Sequence, residues 1–188
     1  MVKILAIGDL HGNLEKIKKI SINGVDLILL TGDLGSVDLM RKMDFENIER
    51  KKQGLSEKEY SPREKRKAFM EAYNSSSRVV KYLSTFAPVY TIYGNVESRN
   101  PETRKHSQEL GLPLPFLTDS LVKMPKISVI NNRLRNFDGI RIGGLDYFID
   151  TNWVRDFKPS DYKERLMNAK KGTDKAKRIL KRFEGLDI

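Results

Sequence analysis

The sequence contains no cysteine and only two histidines, His11 and His106. The absence of cysteine excludes disulfides, thiol nucleophiles and cysteine-ligated zinc sites. Any metal ion must therefore be held by oxygen ligands and at most these two imidazoles. No apolar run approaches the roughly 20 residues of a membrane-spanning helix, and the first residues lead into a strand pattern rather than a signal peptide. We therefore expect a cytoplasmic protein that does not associate with membranes.

The length and charge of the chain bound what it can be. Its 188 residues suit a single domain over residues 1–188 with a sizeable core. Lysine and arginine number 35 against 25 aspartates and glutamates, so the net charge is +10. Such a charge favours an anionic partner and says little about the fold.

The first motif follows a short apolar strand at Ile4–Ile7. Gly8 breaks the strand pattern, and Asn13 is a suitable N-cap for the helix that follows. Asp9 and His11 therefore lie on a loop at the carboxyl end of a strand, where open α/β sheets bind ligands. A carboxylate and an imidazole two residues apart can hold one divalent metal ion. Taken alone, this stretch is equally compatible with an ordinary polar turn.

Two later strands end in the same way. The apolar strand at residues 25–30 runs into Gly32-Asp33, and the strand at residues 89–93 runs into Gly94-Asn95. A right-handed strand–helix–strand crossover makes such strands parallel and brings their carboxyl ends to one edge of the sheet. Three such ends in succession are hard to obtain by chance, so we expect Asp33 and Asn95 to lie beside the first motif.

Residues 38–85 are predicted to form a charged helical cap or insert within the domain. Ser56 and Ser61 each begin a capping-box pattern, with a glutamate three residues later, and the second box should start a long helix. The basic turn at residues 50–54 could cover an anionic substrate, although ordinary surface charge is the simpler explanation.

The C-terminal third is predicted to contain a hairpin and a basic helix. Strands at residues 127–129 and 140–142 should be joined through the turn dipeptide Asp138-Gly139. The final helix is expected from Pro159 to Phe183, within a stretch of strongly basic composition. Its basic face is either a landing site for a phosphate-rich partner or a solvated surface.

The three strand-end motifs together resemble those of a known family. The patterns Asp9-x-His11, Gly32-Asp33 and Gly94-Asn95-x-Glu97 are similar to the first three motifs of the calcineurin-like metallophosphoesterases. The segment at residues 141–148 also resembles one that archaeal members carry after their hairpin. The resemblance implies an α/β fold, a layered β-sandwich flanked by helices.

The resemblance also implies a site with two divalent ions of the Mn, Zn or Fe class. Asp9 and His11 would hold the first ion, Asp33 would bridge both, and Asn95 would hold the second. Asp33, Asn95 and Glu97 would be the catalytic group, with Glu97 orienting a ligand from outside the coordination sphere. A metal-bridging hydroxide would then attack the phosphorus of a phosphate monoester or diester.

Two departures from the family pattern affect this hypothesis. Val96 stands where many members have a histidine that assists the leaving group, and a general acid contributes about 10²–10⁴-fold. Diesters, or esters with acidic leaving groups, are therefore the expected substrates. The family's later histidine motifs are also absent, because His106 follows no strand end and is interpreted as a surface residue. We expect that the C-terminal part of the fold is missing, and that a second chain or self-association completes the sheet and restores full activity.

Two functions remain open on these observations. The first is a metal-dependent phosphoesterase whose site is completed by residues outside this sequence. The second is a non-catalytic module with a phosphoesterase fold that binds nucleic acid through its basic helices. The four intact ligand residues favour the first, because a site that had lost its function would have kept fewer of them.

Overall fold

The computed structural model describes residues 1–157 and 161–188. The chain divides into two compact units, Met1–Val129 and Ile130–Ile188. The assignment of residues 1–188 to one domain, with residues 38–85 as a cap, stays a prediction. Within the described ranges, no helix combines the length and the apolar character needed to span a lipid bilayer.

A four-stranded parallel sheet forms the centre of the N-terminal unit. Its strands are β1 (Ile4–Ile7), β2 (Leu27–Leu30), β3 (Val89–Thr91) and β4 (Ile127–Val129), in the order β1-β2-β3-β4. Ile7 pairs with Leu30, and Leu30 pairs with Thr91, so the carboxyl ends of the first three strands are level. This sheet with its flanking helices confirms the predicted mixed α/β fold and aligns the three loops that carry the motifs.

Five helices belong to the same unit: α1 (Leu14–Ile17), α2 (Asp38–Lys52), α3 (Pro62–Leu83), α4 (Asn100–Leu110) and α5 (Leu117–Val122). The long helix α3 buries Val79, Val80 and Leu83 completely in the core beside β2 and β3 residues. Complete burial of such a side chain contributes about 1.5–3 kcal/mol. This apolar face therefore fixes α3 within the unit.

The capping box at Ser61 begins α3, as the sequence predicts. The Ser61 hydroxyl accepts a hydrogen bond from the Glu64 amide, and the Glu64 carboxylate accepts one from the Ser61 amide at 2.8 Å. The box predicted at Ser56 is wrong, since no helix begins there. The Asn47 side chain instead binds the Lys58 backbone, accepting from its amide at 2.8 Å and donating to its carbonyl at 3.3 Å. These bonds hold the connecting segment against α2.

Tyr60, in the same connecting segment, has a raised pKa. Burial raises the pKa of the Tyr60 hydroxyl to about 12, and its hydrogen bond to Glu46 at 2.8 Å acts in the same direction. We expect one of the seven tyrosines to ionise near this pH when absorbance at 295 nm is followed. The late phase should disappear in Tyr60→Phe and move to lower pH in Glu46→Gln. A late phase that survives Tyr60→Phe would show that the assignment is wrong.

The C-terminal unit contains β5 (Arg133–Phe137), β6 (Ile140–Gly144), α6 (Thr151–Phe157) and α7 (Tyr162–Lys181). The predicted turn is present, with positive φ angles at Asp138 and Gly139, as a two-residue hairpin requires. The predicted partner strand at residues 127–129 is wrong, because that segment is β4 of the parallel sheet and β6 pairs with β5. The predicted start of the last helix at Pro159 lies outside the described residues.

Candidate metal centre

Three predicted ligands converge at the carboxyl ends of β1 and β2. One ligand atom from each of Asp9, His11 and Asp33 lies within 4.8 Å of the other two. Asp9 is exposed, whereas His11 and Asp33 are half-buried. The cluster is therefore open on one side, as a site that admits a substrate must be.

Backbone hydrogen bonds tie the two ligand loops to each other. The His11 amide donates to the Asp33 carbonyl at 2.9 Å, and the Gly12 amide donates to the Leu34 carbonyl at 2.8 Å. Because these bonds join the loops at the ligand residues themselves, the spacing of His11 and Asp33 is set by the backbone.

All three clustered residues have the left-handed backbone conformation. The φ angles are 51° at Asp9, 42° at His11 and 50° at Asp33. Aspartate and histidine tolerate this region better than most residues, yet such conformations still cost on the order of 1 kcal/mol each. Strain of this kind concentrates at binding and catalytic sites, which supports a functional role for the cluster.

Asn95 lies directly against the Asp33 carboxylate. Asp33 Oδ1 accepts hydrogen bonds from the backbone amides of Asn95 at 2.9 Å and Val96 at 3.3 Å. The Asn95 side-chain amide lies 2.8 and 2.9 Å from the two Asp33 oxygens, to which its NH₂ group donates in the orientation that hydrogen bonding favours. The opposite orientation of the amide would present its carbonyl oxygen to an ion held by Asp33. The loop after β3 thus brings a fourth predicted ligand to the cluster.

Glu97 is buried beneath these loops, and the residue is 6% exposed. Its carboxylate accepts four backbone N–H groups: those of Leu34 and Gly35 at Oε1, at 2.7 and 3.3 Å, and those of Asp33 and Gly94 at Oε2, both at 3.0 Å. Burial raises the pKa of Glu97, and the backbone donors oppose that rise. Glu97 therefore joins the loop after β2 to the loop after β3.

Gly32 and Gly94 allow these two loops to approach closely. Gly32 has a φ of 98°, and a Cβ there would lie 2.6 Å from the Gly94 Cα. A Cβ on Gly94 would collide with the Asp33 carboxylate and lie 2.7 Å from the Asp33 nitrogen. The Asp33 carboxylate can therefore keep this orientation only because residue 94 is a glycine and has no side chain.

We expect Gly94→Ala to displace the Asp33 carboxylate and to lower Mn²⁺ affinity at least tenfold, about 1.4 kcal/mol, in isothermal titration. The matched control is Gly172→Ala, because a Cβ at Gly172 meets its nearest neighbour at an ordinary 3.5 Å. Unchanged Mn²⁺ affinity in Gly94→Ala would contradict the steric argument.

Sequence reasoning missed two serines of α3 that support the site. The Ser75 hydroxyl accepts from the Ser36 amide at 2.8 Å, and a Cβ on Gly12 would lie 2.7 Å from the Ser75 Cβ. Ser76 is 1% exposed and faces Gly35. The available signal was the run of small polar residues at 74–77 within a long helix.

The donor set fits a divalent metal ion. Carboxylate oxygens with one imidazole suit the Mn, Zn and Fe class. The Nδ1 atom of His11 is buried and makes no hydrogen bond to any described residue, so none of these residues competes with a metal ion for it. The other histidine, His106, is exposed on α4, as predicted for a surface residue.

Comparisons with known proteins identify the family. No curated protein sequence matches this chain. A crystal structure with 13% sequence identity is similar over 79% of this chain, with a TM-score of 0.48, and the chain spans 54% of that structure's length. The family model for calcineurin-like phosphoesterases matches residues 2–184. Since that match covers nearly the whole sequence and the three strand-end motifs with it, the chain belongs to the calcineurin-like phosphoesterase family.

Proposed function

We propose that this chain hydrolyses phosphate esters at a site for two divalent metal ions. The observation that carries the proposal is the convergence of Asp9, His11 and Asp33 within 4.8 Å, with the Asn95 amide against Asp33. Asp9 and His11 would hold one ion, Asn95 the other, and Asp33 both, since its two oxygens can serve two ions. When bound, such ions activate water and neutralise the charge of the phosphate.

The protein residues contribute positioning and access. Backbone N–H groups at Asn95 and Val96 orient the Asp33 carboxylate, while Glu97 fixes both loops from below. We assign Glu97 as a positioning residue, because backbone amides occupy both of its oxygens. Asp9 and Asn95 are exposed, so an anionic ester can reach the site from solvent.

A direct test uses the two histidines as a matched pair. Because full activity is expected to need a completing chain, we expect only weak Mn²⁺-stimulated turnover of bis(4-nitrophenyl) phosphate, and the readout is the dependence of that turnover on one side chain. His11→Ala should lower turnover at least about 100-fold, a typical effect of losing one electrostatic group in a site. His106→Ala, which changes an exposed residue, should leave turnover unchanged. Metal-independent turnover, or an equal response to both substitutions, would refute the proposal.

The half-buried Val96 determines the expected substrate class. A valine cannot donate a proton, so the leaving group must depart without a general acid at this position. We propose that phosphodiesters and esters with acidic leaving groups are the preferred substrates.

Accordingly, Val96→His should raise turnover of an alkyl phosphate ester, a poor leaving group, by at least tenfold, since a general acid contributes about 10²–10⁴-fold. Turnover of the nitrophenyl ester should change less than threefold. The ratio of the two rates at one Mn²⁺ concentration is the measurement, and a ratio that stays constant would contradict the assigned role of position 96.

A further inference from the structure

Four cations form a row along the exposed side of α7 and onto its C-cap residue, Arg182. Lys171, Lys175, Arg178 and Arg182 follow one another at spacings of four, three and four residues, which places them on one face of a helix. All four are exposed. At a rise of 1.5 Å per residue the row is about 16 Å long.

Three of these cations line an open groove in the C-terminal unit. The groove has a volume of about 450 Å³, and its lining consists of Asn132, Lys175, Arg178, Ile179 and Arg182. The described lining residues contribute three positive charges and no carboxylate. The lining is therefore suited to an anion.

The wall opposite α7 is held in place by hydrogen bonds. The Asn132 side chain accepts from the Asp146 amide at 3.1 Å and donates to the Asp146 carboxylate at 3.4 Å. The same carboxylate accepts from the Asn131 side chain at 2.7 Å. Asn132 is thus a fixed polar group at the edge of the groove.

Asp174 is an acidic residue one helical turn from Lys171 and Arg178, and Arg178 Nε donates to its backbone carbonyl at 3.4 Å. In the part of the chain that the structure describes, no ion pair involves Lys171, Lys175, Arg178 or Arg182. The acidic residue before α7, Asp161, forms its ion pair with Arg165 at 2.7 Å. Like charges three or four residues apart destabilise a helix, so anions bound along the row would relieve a repulsion present in the free protein.

We propose that this basic groove binds the phosphate backbone of a nucleic acid. A row about 16 Å long can contact several successive phosphates, whereas a free phosphate would use only one position. Arg178 and Arg182 can each bind a phosphate through two parallel hydrogen bonds. None of the described lining residues is aromatic, so they offer bases no stacking platform. Recognition should therefore be through the backbone and independent of sequence.

Fluorescence anisotropy with a labelled duplex DNA of about 20 base pairs tests this proposal on the full chain. Each phosphate contact contributes about 0.9 to the slope of log affinity against log salt. The triple variant Lys175→Glu, Arg178→Glu, Arg182→Glu should therefore reduce the slope by about 3 and the affinity at 0.1 M salt by about 100-fold. A glutamine version of the same triple variant should also lose affinity, although less.

The matched control places the same charge change on another side of α7. Lys163, Lys170 and Lys177 are exposed and spaced by seven residues, and their triple glutamate variant should retain affinity within threefold. Circular dichroism checks that all variants keep their helix content. Equal losses in the two glutamate variants would show only an effect of net charge and would overturn the proposal. Binding to phosphatidylserine vesicles but not to DNA, or no DNA binding at all, would overturn it as well.

Discussion

Asp33→Asn is expected to reduce Mn²⁺-dependent turnover by about 10³-fold or more, since it removes the charge of the group proposed to contact both ions. The substitution preserves the shape of the side chain. Its remaining carbonyl oxygen can still accept the Asn95 and Val96 amides that now bind the carboxylate. The loss should therefore appear in metal affinity and turnover and leave the fold unchanged.

Asp44→Asn is the control for charge, because Asp44 is exposed on α2. Its turnover and its Mn²⁺ affinity by isothermal titration should equal those of the unmodified protein. If Asp33→Asn bound Mn²⁺ as tightly as the unmodified protein, Asp33 would not be a ligand and the site would need another assignment.

Glu97→Gln should lower the free energy of unfolding by several kcal/mol. A glutamine NH₂ group cannot accept hydrogen bonds, so two of the four backbone N–H groups now held by Glu97 would lose their acceptor. Each buried, unsatisfied donor costs about 1–3 kcal/mol, which gives about 2–6 kcal/mol in total. Mn²⁺ affinity should fall as well, because the affected N–H donors lie in the loops that carry the metal ligands.

Chemical denaturation with Glu49→Gln as the control measures this effect. Glu49 is an exposed partner of Lys52, and breaking such a surface pair changes stability by at most about 1 kcal/mol. Equal unfolding free energies for Glu97→Gln and Glu49→Gln would exclude the positioning role of Glu97.

The sequence predicted the parts of this fold that depend on local pattern. The apolar run at Ile4–Ile7 is β1 residue for residue, and Asn13 caps α1 by accepting from the Lys16 amide. Parallel pairing of β1 with β2 followed from the crossover rule, and that pairing brings His11 and Asp33 together. The metal-ligand cluster was therefore predictable from strand ends.

The remaining features depend on contacts between distant residues. Strand β5 is polar and half-exposed, so its pairing with β6 gave no apolar alternation to detect. The bonds from Glu97 to Asp33 and Leu34 span 64 and 63 positions. Likewise, the burial of Ser75 against Gly12 arises only when α3 packs on the loops. Local propensity contains none of this information.

The most direct test of the metal centre is an anomalous-difference map from crystals grown with Mn²⁺. The proposal predicts strong peaks at bonding distance, roughly 2.0–2.3 Å, from the clustered ligand atoms of Asp9, His11 and Asp33, with a second ion contacting Asn95. Peaks elsewhere on the molecule, or no peak at these residues at millimolar Mn²⁺, would contradict the account.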